Sequence, residues 1–397
     1  MTTPLIRRLT LQNFLSYGPE GVSVDLLPLN VLIGPNASGK SNLLEALAVL
    51  RAAAKDLQGA IREGGGIDEY IWKGGDSGER AVLAAVVDEP ETPLTQQIEY
   101  RLELARRGTR LNVAGEVING RSLTAAKGDE IIPAYYYRDG EGTLLSQIVD
   151  EAPRVLTQED LRAGQSILSQ RRDPERYREI TFLADYFGGI TLFREWNFGA
   201  RTPARLPQPT DLPTDFLLPD ASNLGLILHD LSQTSGKREE LLRYLRRFYE
   251  HARFVSTRIQ GGPLQLYIEE EGGELIPASR LSDGTLRYLC LLAILLHPNP
   301  PPVIGIEEPE LGLHPDILPT VAELLRNASE RTQLLVTTHS DALISALSDV
   351  PEAILVCERM PRGTIMERLE PQKLSAWLDE YRLGEVWRMG ALGGNRW

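Results

Sequence analysis

The octapeptide Gly34-Pro35-Asn36-Ala37-Ser38-Gly39-Lys40-Ser41 lies between the apolar run Leu29–Ile33 and a stretch in which Leu43, Leu44, Leu47 and Leu50 recur at helical spacing. That order of strand, glycine-rich turn and helix is the context a G-x-x-x-x-G-K-[ST] phosphate loop requires. In such a loop the backbone amides turn inward around a phosphate and the new helix adds its positive end. Lys40 then reaches the β- and γ-phosphates, and the Ser41 hydroxyl ligates Mg²⁺. The motif predicts an α/β P-loop fold with ATP and Mg²⁺ as ligands. Its expected nucleotide contacts are Gly34, Asn36, Ala37, Ser38, Gly39, Lys40, Ser41 and Asn42.

Composition narrows the setting. The 397 residues carry a formal net charge of −13, so any contact with DNA must be confined to a local cationic patch. The longest apolar run, Leu289 to Leu296, is followed by prolines at 298, 300, 301 and 302 and is far short of the ~20 residues that span a bilayer. The first ten residues hold Arg7 and Arg8 but no apolar signal core. We expect a cytoplasmic protein with no membrane partner. Cys290 and Cys357 are the only cysteines, and both are expected as core thiols.

Strand-like segments at Arg80 to Val87, Ile98 to Leu104, Leu111 to Ile118 and Ile131 to Tyr137 predict an antiparallel meander after a glycine hinge at Gly64 to Gly66. From about Pro153 to Arg253 the pattern turns helical and is broken by prolines at 203, 207, 209, 213 and 219. We therefore expect a first part of a nucleotide-binding head over 1–150, an inserted, mainly helical lobe over 151–260, and the rest of the head over 261–397.

Three further motifs follow in order. Val303 to Ile306 is an apolar strand that ends in Glu307, Glu308 and Glu310. This is where a metal ligand, Glu307, and a carboxylate that orients or deprotonates water, Glu308, are needed. Leu281-Ser282-Asp283-Gly284-Thr285 opens the helix running to Leu296, and Thr337-Thr338-His339-Ser340 closes a strand. A neutral imidazole at His339 can sense a γ-phosphate.

Together these motifs resemble the ABC-type ATPase heads of the SMC, RecF and overcoming-lysogeny class. The sequence Leu281 to Thr285 is similar to the family signature LSGGQ, with Asp283 replacing a glycine and Thr285 a glutamine. The opening Leu9-Thr10-Leu11-Gln12-Asn13-Phe14 matches the usual first strand. The resemblance implies a P-loop fold of ABC-ATPase type, with a mixed central sheet, an antiparallel meander and an inserted helical lobe. It also implies a homodimer closing head to head on ATP. There Ser282, Asp283 and Gly284 of one subunit meet the γ-phosphate held by the other, with Lys40, Glu308 and His339 as catalytic residues. Glu310 to Pro315 resembles the dimer-contacting D-loop. A glutamine associated with the metal is implied between the phosphate loop and the insert, and Gln170 is the first choice, with Gln165 behind it.

The 245 residues from Gly39 to Gly284 disfavour a soluble transporter subunit, whose version of this interval is much shorter in the family. DNA repair or anti-phage defence, with a separate nuclease or effector partner, is the expected setting. We expect no Toprim nuclease domain of the kind many overcoming-lysogeny relatives carry, because the stretch from Val350 to Trp397 has room for only a strand and a helix or two. A slow, ATP-gated scaffold is the alternative, because Glu307 stands where the family usually has Asp. Two arginine clusters suit DNA phosphates, one on Lys237 to Arg253 and one at Arg162, Arg171, Arg172, Arg176 and Arg178. An ion-paired, solvated face explains the same residues. Trp377, Trp387 and Trp397 are expected to pack on the core.

Overall fold

The computed structural model describes residues 4–74, 80–89, 97–122, 130–139, 143–145, 154–156, 162, 164–259 and 261–393. The chain is an α/β fold with two compact units. One comprises Met1–Pro28, Ile33–Ile190 and Leu355–Arg368, the other Leu29–Leu32, Thr191–Ile354 and Leu369–Trp397.

In the first unit, eight antiparallel strands run in the order Val22–Asp25, Ile6–Gln12, Arg80–Asp88, Gln97–Arg107, Arg110–Ser122, Glu130–Arg138, Thr143–Leu145 and Arg154–Leu156. The expected meander is its centre. Period-two alternation makes it: Ile98, Tyr100, Leu102 and Leu104 are fully buried, while Glu99, Arg101 and Glu103 between them are partly exposed. The helix Lys40–Ala53 buries Leu43, Leu44, Leu47 and Leu50, each contributing about 1.5–3 kcal/mol, and packs beside the helix Arg178–Gly188. A hairpin of Ile354–Met360 and Gly363–Arg368 also belongs to this unit, apart from Ile354.

Glu116 is the unusual group in this core. Its carboxylate is 1% exposed and accepts hydrogen bonds from Tyr100 Oη at 2.8 Å, from Ile167 N at 2.8 Å and from the Ser166 hydroxyl. Burial outweighs these donors and pushes its carboxyl up to about 7. The folded chain thus keeps a proton that the unfolded chain releases near the ordinary carboxylate value. Stability from this group is fully present below that value and is lost as pH rises toward about 7, a span on the order of 3 kcal/mol. Glu116→Gln is expected to flatten the pH dependence of urea unfolding between about pH 5 and 7. A slope as steep as that of the wild type would contradict the assignment.

The second unit is built on parallel strands in the order Thr191–Phe193, Val303–Glu307, Gln333–Thr337 and Leu29–Ile33, the last of which continues into the first unit at Ile33. Val303, Ile304, Ile306 and Leu334 to Val336 are fully buried, as expected for strands covered on both faces. The helix Asp283–Leu295 is buried around nearly its whole circumference, so it is a core helix and not a surface one. Three antiparallel strands, Ala252–Ile259, Leu264–Glu270 and Leu275–Pro277, complete the unit with the helices Leu224–Gln233, Lys237–Phe248 and Leu318–Ser329.

Several expectations change. The stretch 151–260, expected as one inserted lobe, is divided at Ile190. Its helix Arg178–Gly188 packs on the phosphate-loop helix, whereas Thr191–Phe193 joins the parallel sheet beside Val303–Glu307. Trp387 is buried as expected, but Trp377 is 41% exposed, on the outer face of the short helix Pro371–Leu378, which buries only Leu374. Trp397 lies outside the described residues. Both cysteines are buried free thiols. Among the described residues no helix is long and apolar enough to cross a membrane.

Candidate nucleotide-binding and catalytic residues

The phosphate loop has the backbone its glycines require. Gly34 and Gly39 adopt φ of 145° and 102°, and Ala37 between them adopts 61°. The loop is also closely backed: a Cβ at Gly34 would lie 2.2 Å from Cys357 O, and one at Gly39 2.5 Å from Thr364 Oγ1. Both positions therefore need glycine twice over, for conformation and for room. Tyr17 Oη donates to Gly39 O at 2.9 Å, and the Thr364 hydroxyl lies 3.0 Å from Ser38 O. The C-terminal hairpin thus buttresses the loop from beneath.

Lys40 is 5% exposed, and its ammonium donates to Gly34 O at 2.8 Å and Pro35 O at 2.9 Å. It is folded over the loop it serves. Burial pushes the nearby Cys357 thiol up to about 12, against the pull of Lys40, so the neighbour stays uncharged. The Ser38 hydroxyl is buried and has no hydrogen-bond partner among the described residues, which fits a loop built to bond something more than itself. Asn36 and Ala37 are exposed, and Ser41 and Asn42 half-buried.

In the second unit the acidic residues sit at the carboxyl end of Val303–Glu307, next to the end of Gln333–Thr337. Glu307 opposes Thr337 in the parallel register. Glu308 then leaves the strand at φ 47°, a conformation costly for a non-glycine residue. It is held there by its amide, which donates to Thr337 O at 3.0 Å. This places Glu308 Oε1 3.5 Å from His339 Nε2. Glu310, which the sequence marks only as part of the D-loop, accepts from Thr338 Oγ1 at 2.6 Å and His339 N at 2.9 Å. Burial raises its carboxyl above the ordinary value, and its second oxygen is buried without a partner among the described residues. Glu310 therefore orients the segment that carries His339.

The signature turn is set just as tightly. Ser282 caps the helix Asp283–Leu295, its hydroxyl accepting from Thr285 N at 3.0 Å. A Cβ on Gly284 would lie 2.6 Å from Gly312 O, so glycine is required where the D-loop passes. Asp283 pairs with Arg205, which explains an acid where the signature usually has glycine.

Of the expected metal residues, Glu307 has Arg194 Nε 3.3 Å from its Oε2. Gln170 closes the short helix Ile167–Gln170; its amide nitrogen donates to Gln165 O at 3.1 Å and its oxygen accepts from Arg162 N at 2.7 Å. Both ends of the amide clasp a local loop. No group of three or more metal-ligating side chains exists among the described residues. A magnesium ion that enters with a triphosphate takes one or two protein ligands and completes its shell with phosphate oxygens and water, and the Ser41 hydroxyl and Glu307 carboxylate are of the oxygen type it would use.

The profile of a known family matches residues 29–345, and its description reads "AAA domain, putative AbiEii toxin, Type IV TA system". The chain belongs to this AAA-domain family. No curated protein matches its sequence. Among solved structures, this AAA-domain chain is similar to an SMC head bound to the C-winged helix domain of ScpA, at 18% identity and a TM-score of 0.55, covering 94% of this chain and 99% of that one. It is also similar to the SMC head with an extended coiled coil from Pyrococcus furiosus, bound to the C-terminal domain of ScpA, at 16% identity and TM-score 0.56, covering 95% and 99%. A Pyrococcus yayanosii SMC head gives 12%, 0.55, 95% and 99%. These likenesses show the fold, that of an SMC head domain.

In the AAA-domain chain most cations of the two arginine clusters have acidic or aromatic neighbours among the described residues. Arg247 pairs with Glu323, Lys237 with Glu240, and Arg253 with Glu269. Arg238 lies over Phe254 and Arg243 over Tyr244. In the other cluster Arg178 pairs with Glu89, Arg172 with Asp185 and Arg176 with Asp173. The ion-paired reading accounts for these cations.

Proposed function

We propose that this AAA-domain protein is an ATPase whose copies pair head to head, each ATP being gripped by the phosphate loop of one chain and the signature turn of the other. Lys40 would bind the β- and γ-phosphates, and Ser41 and Glu307 would hold the Mg²⁺ that enters with the nucleotide. Glu308 would orient and deprotonate the attacking water, with His339 beside it registering the γ-phosphate. Ser282 and Gly284 would close on that phosphate from the partner, using the amide end of their helix. The observation that carries this reading is Glu308, held in a strained backbone with its carboxylate 3.5 Å from His339. The expected setting, DNA repair or anti-phage defence through a separate effector, rests on the resemblance alone.

A second reading, an ATP-gated scaffold with slow turnover, draws on the Arg194 contact to Glu307, because a guanidinium at that carboxylate competes with a metal. Phosphate release from MgATP by the wild-type chain separates the two. Saturable turnover supports the ATPase, whereas ATP binding without phosphate release supports the scaffold and contradicts the ATPase.

A further inference from the structure

Two buried arginines tie the signature turn to the strand end that carries Glu308, by way of a stretch between them that no motif covers. Arg205 is 8% exposed. It donates to Leu281 O at 2.5 Å, to Ala278 O at 3.3 Å and to the Asp283 carboxylate, so it grips the signature turn at two points and the segment leading into it at a third. Its Nε donates at 2.7 Å to Phe198 O.

The return path runs through Arg287, one turn into the signature helix and also 8% exposed. Its guanidinium lies 5.1 Å from the ring of Trp196 and 5.7 Å from that of Phe198, and it donates to Glu308 O at 3.2 Å. Trp196 Nε1 donates to Glu307 O at 2.7 Å. Glu307 O is therefore held from this stretch and Glu308 O from the signature helix by Arg287, which lies against the rings of the stretch, and Glu308, with φ 47°, is the residue that most needs holding. A planar cation between aromatic rings and a carbonyl is an arrangement that lysine cannot reproduce.

We propose that Arg194–Arg205 is a coupling strap and Arg287 a positioning residue, so that engagement of the signature turn fixes the backbone of Glu308 and sets turnover. The consequence for the ATPase rests on the function proposed above, whereas the mechanical link does not. Arg205 bonds Asp283, Leu281, Ala278 and Phe198, and no bond joins it to Glu308. Gly312 is packed directly against Gly284, so the residues that report the strap are 307–309; a merely local role would leave these unmoved when Arg205 is changed.

Hydrogen exchange on the full-length chain tests the link. Arg205→Met is expected to speed amide exchange in 307–309 about tenfold as well as in 281–285. Arg205→Lys, which keeps the stem and charge but not the fork, should do so more weakly and guards against a folding failure. Faster exchange confined to 281–285 in both variants would overturn the strap. In steady-state assays Arg287→Met should lower kcat about tenfold with KM for ATP within about twofold, and Arg287→Lys should recover only part of the loss. A wild-type kcat in Arg287→Met would overturn the positioning role. If the wild type hydrolyses no ATP, the ATPase reading fails, and the exchange pattern still decides the strap.

Discussion

Lys40→Ala is expected to weaken ATP binding by about a hundredfold or more while the chain stays folded. The ammonium is buried and donates to loop carbonyls at 2.8 and 2.9 Å. A triphosphate would replace these carbonyls with charged oxygens, and each charge-assisted bond is worth about 1.5–3 kcal/mol, so losing two of them corresponds to roughly two or more decades in affinity. The loop itself is held by other groups, since Tyr17 Oη and Thr364 secure Gly39 and Ser38. Fluorescence titration with a labelled ATP analogue, with circular dichroism as the folding control, gives the result. Affinity within about twofold of the wild type would remove Lys40 from the binding site.

Glu308→Gln is expected to have the larger effect on chemistry and little on binding. The amide is isosteric and leaves the backbone contacts to Thr337 and Arg287 in place, but it cannot accept a proton from water. General-base removal costs about 10²–10⁴ in kcat. Because ATP is still bound, the closed pair should accumulate, and light scattering in MgATP should give twice the 44.1 kDa of one chain. Turnover equal to the wild type would assign the water to another group, and a persistent monomer would speak against pairing on ATP.

Much of this is legible in sequence because short, local patterns encode it. The phosphate loop needs glycine at 34 and 39, and both conformation and crowding bear that out. The meander follows from strict alternation, and the signature helix from an apolar run too long for one strand. What is not legible depends on partners distant in the chain. Thr191–Phe193 is a three-residue strand whose only support is parallel pairing with Val303–Glu307, more than a hundred residues on. Arg205, Arg287 and Trp196 look like ordinary residues of a proline-broken insert and a helix start, and only the fold shows them meeting around Phe198. The amide of Gln170 bonds its own loop, a local arrangement that a family pattern does not encode. The arginine clusters are ambiguous from charge alone, and their acidic and aromatic partners are decided by packing.

The claim on which the functional reading turns is that each nucleotide is completed by a second chain, and mixing two inactive variants tests it. Lys40→Ala loses the grip on the triphosphate, whereas Ser282→Arg, at an exposed helix cap, blocks the face offered to a partner. Each variant alone should be inactive. In an equimolar mixture half the pairs are mixed and carry one intact site, so ATPase activity should return to about a quarter of the wild-type level. Activity no higher than the sum of the separate variants, with both folded, would contradict a shared site.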